Sequence, residues 1–123
     1  MGRRTAGKGS KTTQDVRRGT VVWVNLEDAH PPELGKTRPA VIVSNTEHNS
    51  TLDSVVVIPL SSRAPAIWPL RFAVSPIGKL ARSFAVTPGI RQVANRRLMR
   101  VEGVVSDDVM EELGEALAAY LGD

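Results

Sequence analysis

Seven short apolar stretches alternate with polar turn segments between residues 20 and 105. They are rich in valine and isoleucine and are bounded by glycine, proline, asparagine or serine, which is the pattern of β-strands. Their close spacing favours a small β barrel or sandwich over parallel β–α–β units. The predicted strands are TVVWVNL (20–26), AVIVS (40–44), SVVVIPL (54–60), LRFAV (70–74), SFAV (83–86), IRQV (90–93) and LMRVEGVV (98–105).

The period of the pattern changes after the last of these strands. Val109, Met110 and Leu113 begin a series of apolar residues at three- and four-residue steps, which predicts a helix with one apolar stripe over 106–121. Ser106 is a suitable N-cap residue for that helix. The predicted fold is therefore mainly β with α, a small β barrel with an amphipathic C-terminal helix packed on it.

The first residues of the chain do not share this pattern. Residues 1–16, MGRRTAGKGSKTTQDV, are rich in glycine, serine, threonine and basic residues and contain almost nothing that a core could bury. This composition predicts a disordered basic arm. Residues 17–123 are then expected to form one domain with one modest core.

The net charge of +3 is unevenly distributed along the chain. Residues 1–18 hold six basic residues against one acidic residue, a charge of +5, and residues 106–123 hold six acidic residues and no basic one, a charge of −6. The segment between them has a charge of +4. A basic body of this kind suits a polyanion such as nucleic acid, although a solvated surface without a partner is an equally common reason for so small an excess.

Several classes of site are excluded or disfavoured by composition. The absence of cysteine excludes disulfides, thiolate metal sites and cysteine nucleophiles. Two histidines without suitably spaced carboxylates do not indicate a metal site, and no cofactor motif is present. No apolar stretch approaches the roughly 18 residues of a membrane span. The expected location is the cytoplasm, without a membrane partner.

The segment KTRPAVIVSN (36–45) places an arginine and a proline before a buried strand. Pro39 lacks an N–H group, which suits the first residue of a strand, and it restricts Arg38 to extended geometry. Arg38 is therefore expected at the rim of the sheet, on stiff backbone, with its five donors directed outward. A rim arginine that simply pairs with a carboxylate is the alternative.

Two connections between the predicted strands are too long for simple hairpins. They are EDAHPPELGKT (27–37) and SSRAPAIWP (61–69). Long loops in so small a domain usually carry functional residues.

The order of several of these segments resembles a known family. RGTVVWVNL, an acidic loop that ends in RPAVIVSN, and then VVVIPLSS resemble the MazF/PemK/Kid-type toxins of bacterial type II toxin–antitoxin systems, and the resemblance extends over about residues 17–121. It implies an SH3-like β barrel that forms a two-fold homodimer. It also implies sequence-selective, metal-independent cleavage of single-stranded RNA, and neutralisation by a cognate acidic antitoxin peptide.

The resemblance also implies roles for particular residues. Arg38 and Ser61 match the arginine and the hydroxyl residue that the family uses in catalysis, and Glu33 matches its loop acid. The family's histidine before the loop acid is replaced here by Pro32, so His30 becomes the candidate base, although a solvent-facing histidine is the alternative. Glu33 is a second candidate base, or a residue that holds the loop together.

RNA binding requires basic and stacking side chains beyond the scissile phosphate. Trp23 is expected in the core because its neighbours are apolar. The candidate RNA-binding residues lie around the second long loop and the late strands: Arg63, Trp68, Arg71, Lys79, Arg82 and Arg91.

Two other functions are compatible with the same fold. One is a CcdB-type toxin that binds gyrase and is not a nuclease, but that group lacks the Arg-Pro pair with its hydroxyl partner. The other is a degenerate RNA-binding module, which is favoured by Val86 and Pro88 at positions where Kid-type relatives carry an arginine and an aspartate.

Overall fold

Seven antiparallel strands and two helices form the part of the chain that the computed structural model describes, which is residues 16–28, 30–32, 36–63, 65–74 and 76–123. All seven predicted strands and the C-terminal helix are confirmed. The elements are β1 (Thr20–Asn25), β2 (Thr37–Ile42), α1 (Thr46–Leu52), β3 (Ser54–Ser61), β4 (Arg71–Val74), β5 (Ser83–Val86), β6 (Arg91–Ala94), β7 (Leu98–Val104) and α2 (Asp107–Leu121).

Strand β3 is the centre of the sheet because it pairs with three other strands. The strand order is β4-β5-β3-β2-β1-β7, and β6 pairs with the first half of β3. One-turn 3-10 helices at Thr87–Gly89 and Asn95–Arg97 connect β5 to β6 and β6 to β7. The connection Thr87–Gly89 lies beside Pro59, between the part of β3 that pairs with β6 and the part that pairs with β5. This interruption of the ladder suits proline, which has no N–H group to donate.

The sheet is not closed, so the predicted barrel is only loosely matched. Within the described residues, β4 and β7 are its end strands and no ladder joins them. The segment after β4 packs against β7 instead, where the backbone N–H of Lys79 donates to Glu102 Oε2 at 2.7 Å. Gly78 has a φ of 56°, and a side-chain carbon there would overlap the Glu102 carbonyl oxygen. The contact between this glycine-containing segment and β7 could not be predicted from the alternation of apolar and polar residues in the strands.

Trp23 belongs to this contact and is half-buried, so the expectation of a core tryptophan is only partly met. Its indole Nε1–H donates to Glu102 Oε1 at 2.9 Å. The guanidinium of Arg100 lies over its ring, 4.8 Å from the ring centroid. The Trp23 and Lys79 hydrogen bonds, in that order, lower the pKa of the Glu102 carboxyl below its usual value, because both favour the charged form.

Two apolar clusters stabilise the two faces of the central strands. The first contains Val21, Val41 and Ile58 and is covered by α2, whose apolar stripe includes Val109 and Leu113. The hydroxyl of Ser106 accepts from the N–H of Val109 at 3.2 Å and caps that helix, as predicted. The second cluster lies on the opposite face and includes Val22, Val24, Ala40, Ile42, Val57 and Val93.

Helix α1 was not among the predicted elements, because its segment lies between two predicted strands and begins with residues that are common in turns. The Asn45 side chain accepts from the N–H groups of Glu47 and His48, at 2.8 and 3.3 Å, and so caps a helix at a residue that is equally common in turns. His48 is exposed on this helix. Asn49 is buried, and its amide donates to the Val16 carbonyl at 2.7 Å.

The contact with Asn49 also makes Val16 part of the fold. The predicted arm lies outside the described residues except for Val16, which is buried in the second cluster. The folded part therefore includes Val16, one residue before the predicted boundary. Among the described helices, none is long and apolar enough to cross a membrane.

Glu102→Gln is expected to reduce stability at pH 7 and to have little effect in acid. A carboxyl whose pKa is lowered on folding stabilises the fold above its unfolded pKa, and this contribution is lost as the pH falls through the lower folded value, here below about 4.5. The melting temperatures of variant and parent, well separated at pH 7, should converge towards pH 3. Glu115→Gln, at an exposed site on α2, is the matched control and should follow the parent. A constant difference at all pH values would contradict this role.

Candidate active site

Arg38 lies inside β2, because the strand begins at Thr37 and not at residue 40 as predicted. The additional residues pair with β1, where Val24 is opposite Arg38 and Trp23 is opposite Pro39. The ladder between β2 and β3 begins only at Ala40. Pro39 therefore lies where β2 has a ladder partner on one side, a position that tolerates the missing N–H. The predicted rim position of Arg38 is confirmed in this sense.

The register of β2 against β3 relates Arg38 to Ser61. Ala40 is opposite Pro59, and two residues farther along each strand the matching positions are Arg38 and Ser61. Side chains two residues apart share a face, so Arg38 and Ser61 belong to the face of Ala40 and Pro59. Arg38 is half-buried and Ser61 is buried. The backbone N–H of Arg63 donates to Ser61 Oγ at 3.1 Å, which orients the hydroxyl.

A groove of about 610 Å³ opens on the same face. Pro59 lines it, and Pro59 shares its face of the sheet with Arg38 and Ser61. Gly89 lines the groove beside Pro59, and its lack of a side chain permits this contact, since a Cβ atom there would lie 2.7 Å from Pro59 Cγ. The lining residues are Leu26, Asp28, Pro32, Pro59, Arg71, Val86, Pro88, Gly89, Ile90 and Arg91.

Two of the lining residues, Asp28 and Arg91, belong to an ion-pair cluster that also includes Arg97. Arg97 donates to both carboxylate oxygens of Asp28, with Nη2–Oδ2 and Nη1–Oδ1 distances of 3.0 and 3.4 Å. Arg91 Nη2 lies 3.6 Å from Asp28 Oδ1. Arg97 Nη1 also donates to the carbonyl oxygen of Asn25, at 3.1 Å. Sequence reasoning did not identify Asp28 or Arg97, because no local pattern relates two residues that are 69 positions apart.

The second long loop presents an aromatic side chain. Trp68 is 51% exposed, in a turn where the N–H of Arg71 donates to the Ile67 carbonyl. Thr87 holds the end of this turn, because its hydroxyl donates to the Pro69 carbonyl at 2.6 Å. Thr87 is itself fully buried. The position of Trp68 is therefore determined by a contact with the turn that follows β5.

The other predicted RNA-binding residues are distributed over more than one surface. Arg71 and Arg91 line the groove, and the exposed Arg63 lies two residues after Ser61. Arg82 lies over the ring of Phe84, 5.5 Å from its centroid. Lys79 is fixed against β7 through its backbone N–H. Within the described part of the chain, the groove lining does not include the candidate residues Arg38, Ser61, Arg63, Trp68, Lys79 and Arg82.

The candidate proton-transfer residues lie in the first long loop. His30 is exposed, between two groove-lining residues, Asp28 and Pro32. Glu33 lies outside the described residues. Where the chain is described, no group of three histidine, aspartate or glutamate side chains is arranged to hold a metal ion.

Comparison with known proteins places this chain among the MazF toxins. The model of the family described as PemK-like, MazF-like toxin of type II toxin–antitoxin system matches residues 17–121. Endoribonuclease MazF9 of Mycobacterium tuberculosis is 33% identical over 113 residues, which are 86% of this chain and 96% of that protein.

Solved structures show the same fold. The MazF crystal structure from Deinococcus radiodurans matches with a TM-score of 0.77 at 23% identity, over 87% of this chain and 96% of that one. An endoribonuclease in complex with its cognate antitoxin, from a mycobacterial species, matches with a TM-score of 0.72 at 26% identity, over 86% and 94%. This chain belongs to the MazF/PemK toxins of type II toxin–antitoxin systems, a family of endoribonucleases.

Thr87→Val is expected to destabilise the fold by roughly 1–3 kcal/mol, because it leaves the Pro69 carbonyl without its buried donor. The free energy of unfolding in urea measures this effect. Thr51→Val on α1, where the hydroxyl is exposed, is the matched control and should change stability by less than about 0.5 kcal/mol. Equal effects of the two substitutions would show that the Thr87 hydrogen bond does not hold the turn.

Proposed function

We propose that this toxin cleaves single-stranded RNA in a sequence-selective manner and without a metal ion, by attack of a ribose 2′-hydroxyl on the adjacent phosphate. The observation that carries the proposal is the placement of Arg38 and Ser61 at matching register positions on the face where the groove opens. This attack gives a cyclic phosphate on one product and a free 5′-hydroxyl on the other.

Arg38 acts as the clamp on the scissile phosphate. Negative charge increases on the phosphoryl oxygens in the transition state, and a guanidinium donates two parallel hydrogen bonds to such oxygens. The backbone of Arg38 is fixed by the β1 ladder and by Pro39, so little ordering is needed when the phosphate arrives. Arg38 does not serve as a proton shuttle, because a guanidinium pKa above roughly 12 keeps it charged.

Ser61 supplies a second donor to the same phosphate. Its hydroxyl accepts from the Arg63 N–H, which leaves the hydroxyl proton available for a phosphoryl oxygen. Glu33 and His30 are the candidates for the proton transfers at the attacking and leaving oxygens, and both belong to the loop whose residues Asp28 and Pro32 line the groove.

The groove gives the RNA a basic path away from the scissile phosphate. Arg71 and Arg91 on its walls are suited to bind neighbouring phosphates, and Arg63 extends the path beyond Ser61. Trp68 offers an exposed ring on which a base can stack. Lys79 and Arg82 act outside the groove, as contacts to a longer strand.

We propose two protein partners by analogy with the family. The first is a second copy of this chain, in a two-fold homodimer. The second is a cognate acidic antitoxin peptide, which competes with RNA for the basic groove while the acidic helix α2 covers the opposite apolar cluster. The mycobacterial relative was solved with its cognate antitoxin, which supports the second partner.

Arg38→Ala is expected to reduce the single-turnover cleavage rate by roughly 10²–10³-fold, with a small change in RNA affinity, because the clamp acts mainly on charge that develops in the transition state. Arg38→Lys should recover part of the rate, since an ammonium lacks the two-pronged geometry. Ser61→Ala should be milder than Arg38→Ala, and Ser61→Thr nearly silent. Rates on a long transcript, measured with EDTA present, test all four variants.

Folding is the control for this series. Each variant should melt near the parent temperature, because Arg38 lies at the rim and contributes little to either apolar cluster. A parental cleavage rate in Arg38→Ala, or loss of folding in that variant, would make Arg38 structural. Complete inhibition of the parent by EDTA, reversed by a divalent ion, would contradict the metal-independent mechanism.

A further inference from the structure

Arg91 and Arg97, beside the groove, already bind an anionic group of the protein itself, the carboxylate of Asp28. Asp28 is placed between Arg91 and Arg97, with Oδ1 3.6 Å from Arg91 Nη2 and Oδ2 3.0 Å from Arg97 Nη2. Arg97 meets the carboxylate with both terminal nitrogens, which is also the way in which a guanidinium binds phosphate.

The two arginines are held in place more firmly than the acid between them. Arg91 belongs to β6, which pairs with β3, and the Arg97 guanidinium is bound to the carbonyl oxygen of Asn25. The side chains of Arg91 and Arg97 are 32% and 27% exposed, whereas that of Asp28 is 52% exposed. Asp28 follows the end of β1, in a turn. The cations thus form a fixed frame and the carboxylate is the part that can leave.

The weakness of these ion pairs favours exchange of the Asp28 carboxylate for a phosphate. Partly exposed ion pairs add little net stability, because solvent screens them and because ordering the side chains offsets the attraction. Both Asp28 and Arg91 line the groove, so a phosphate in the groove would meet Arg91 and its carboxylate partner directly. A phosphodiester carries the same charge as the carboxylate and presents two oxygens in a similar arrangement.

We propose that Arg91 and Arg97 form a phosphate subsite for the RNA backbone, and that Asp28 occupies this subsite in the free toxin and is displaced when RNA binds. This inference rests on the proposed function for the identity of its ligand. Asp28 then lowers RNA affinity and acts as a built-in competitor, so that tight binding requires enough other contacts to displace it.

The inference predicts a specific gain of affinity in Asp28→Asn. Binding of a mixed-sequence 2′-O-methyl RNA, which lacks the attacking hydroxyl, is measured by fluorescence anisotropy over a range of salt concentrations. Asp28→Asn should bind about 3- to 10-fold more tightly than the parent at low salt. Because RNA displaces Asp28 in the parent and so makes the same phosphate contacts in both proteins, the slope of log affinity against log salt should stay near the parental value.

Glu27→Gln is the matched control for net charge. Glu27 is exposed, lies one residue from Asp28 and makes no ion pair within the described residues. It should change affinity by less than about twofold and leave the slope as in the parent. Asp28→Glu, which restores the carboxylate, should return the RNA affinity towards the parent value. The gain from Asp28→Asn should disappear when Arg91→Ala is added.

Inorganic phosphate gives a second measurement that does not depend on RNA. It should raise the melting temperature of Asp28→Asn more than that of the parent or of Glu27→Gln. Equal responses of Asp28→Asn and Glu27→Gln, to both RNA and phosphate, would overturn the inference and leave cleavage by the parent untouched. A parent that fails to cleave RNA would overturn the proposed function, and the phosphate response would still decide whether Asp28 blocks an anion site.

Discussion

The arrangement of the candidate site depends on the register of β2 against β3. Ala40 is opposite Pro59, and this pairing places Arg38 and Ser61 on one face, two residues beyond the last ladder pair. A slip of one residue in either strand would turn one of the two side chains to the other face. Such a slip would also move buried residues of both apolar clusters, so the packing that stabilises the fold penalises it.

The same constraint shapes the groove. Strand β3 pairs with β6 along its first half and with β5 at its end, and the turn between β5 and β6 lies against Pro59. That turn provides Pro88 and Gly89 to the groove, and its Thr87 holds the loop that presents Trp68. Strand β3 thus carries Ser61 and Pro59 and sets the position of the turn that lines the groove.

Local patterns were sufficient to predict the strands and α2. The order of the motifs also predicted that Arg38 and Ser61 lie on neighbouring strands. Helix α1 was missed because Asn45 suits both a turn and an N-cap. The open sheet was missed because the segment after β4 meets β7 through a hydrogen bond between Lys79 and Glu102, which are far apart in sequence, and not through a strand ladder. The pairing of Asp28 with Arg97 was missed for the same reason, since periodicity carries no information about which distant charges meet.

The arginines of the site are positioned in two different ways. The backbone of Arg38 is fixed by pairing with β1 and by Pro39. Arg91 and Arg97 bind a carboxylate of the protein itself, that of Asp28. In the proposed mechanism, Arg38 is a preorganised donor that acts on the transition state. Arg91 and Arg97, which are occupied by Asp28 in the free toxin, act on RNA binding.

The most direct test is whether cleavage requires the ribose 2′-hydroxyl next to the scissile phosphate. Once a cut site has been mapped, an RNA with a single 2′-deoxy nucleotide on the 5′ side of the scissile bond is compared with the all-ribose strand. The account predicts that the deoxy strand binds with nearly unchanged affinity and is not cut at that bond. Cleavage of the deoxy strand at the same rate would contradict it, because the attacking group would then be a water molecule or a protein side chain.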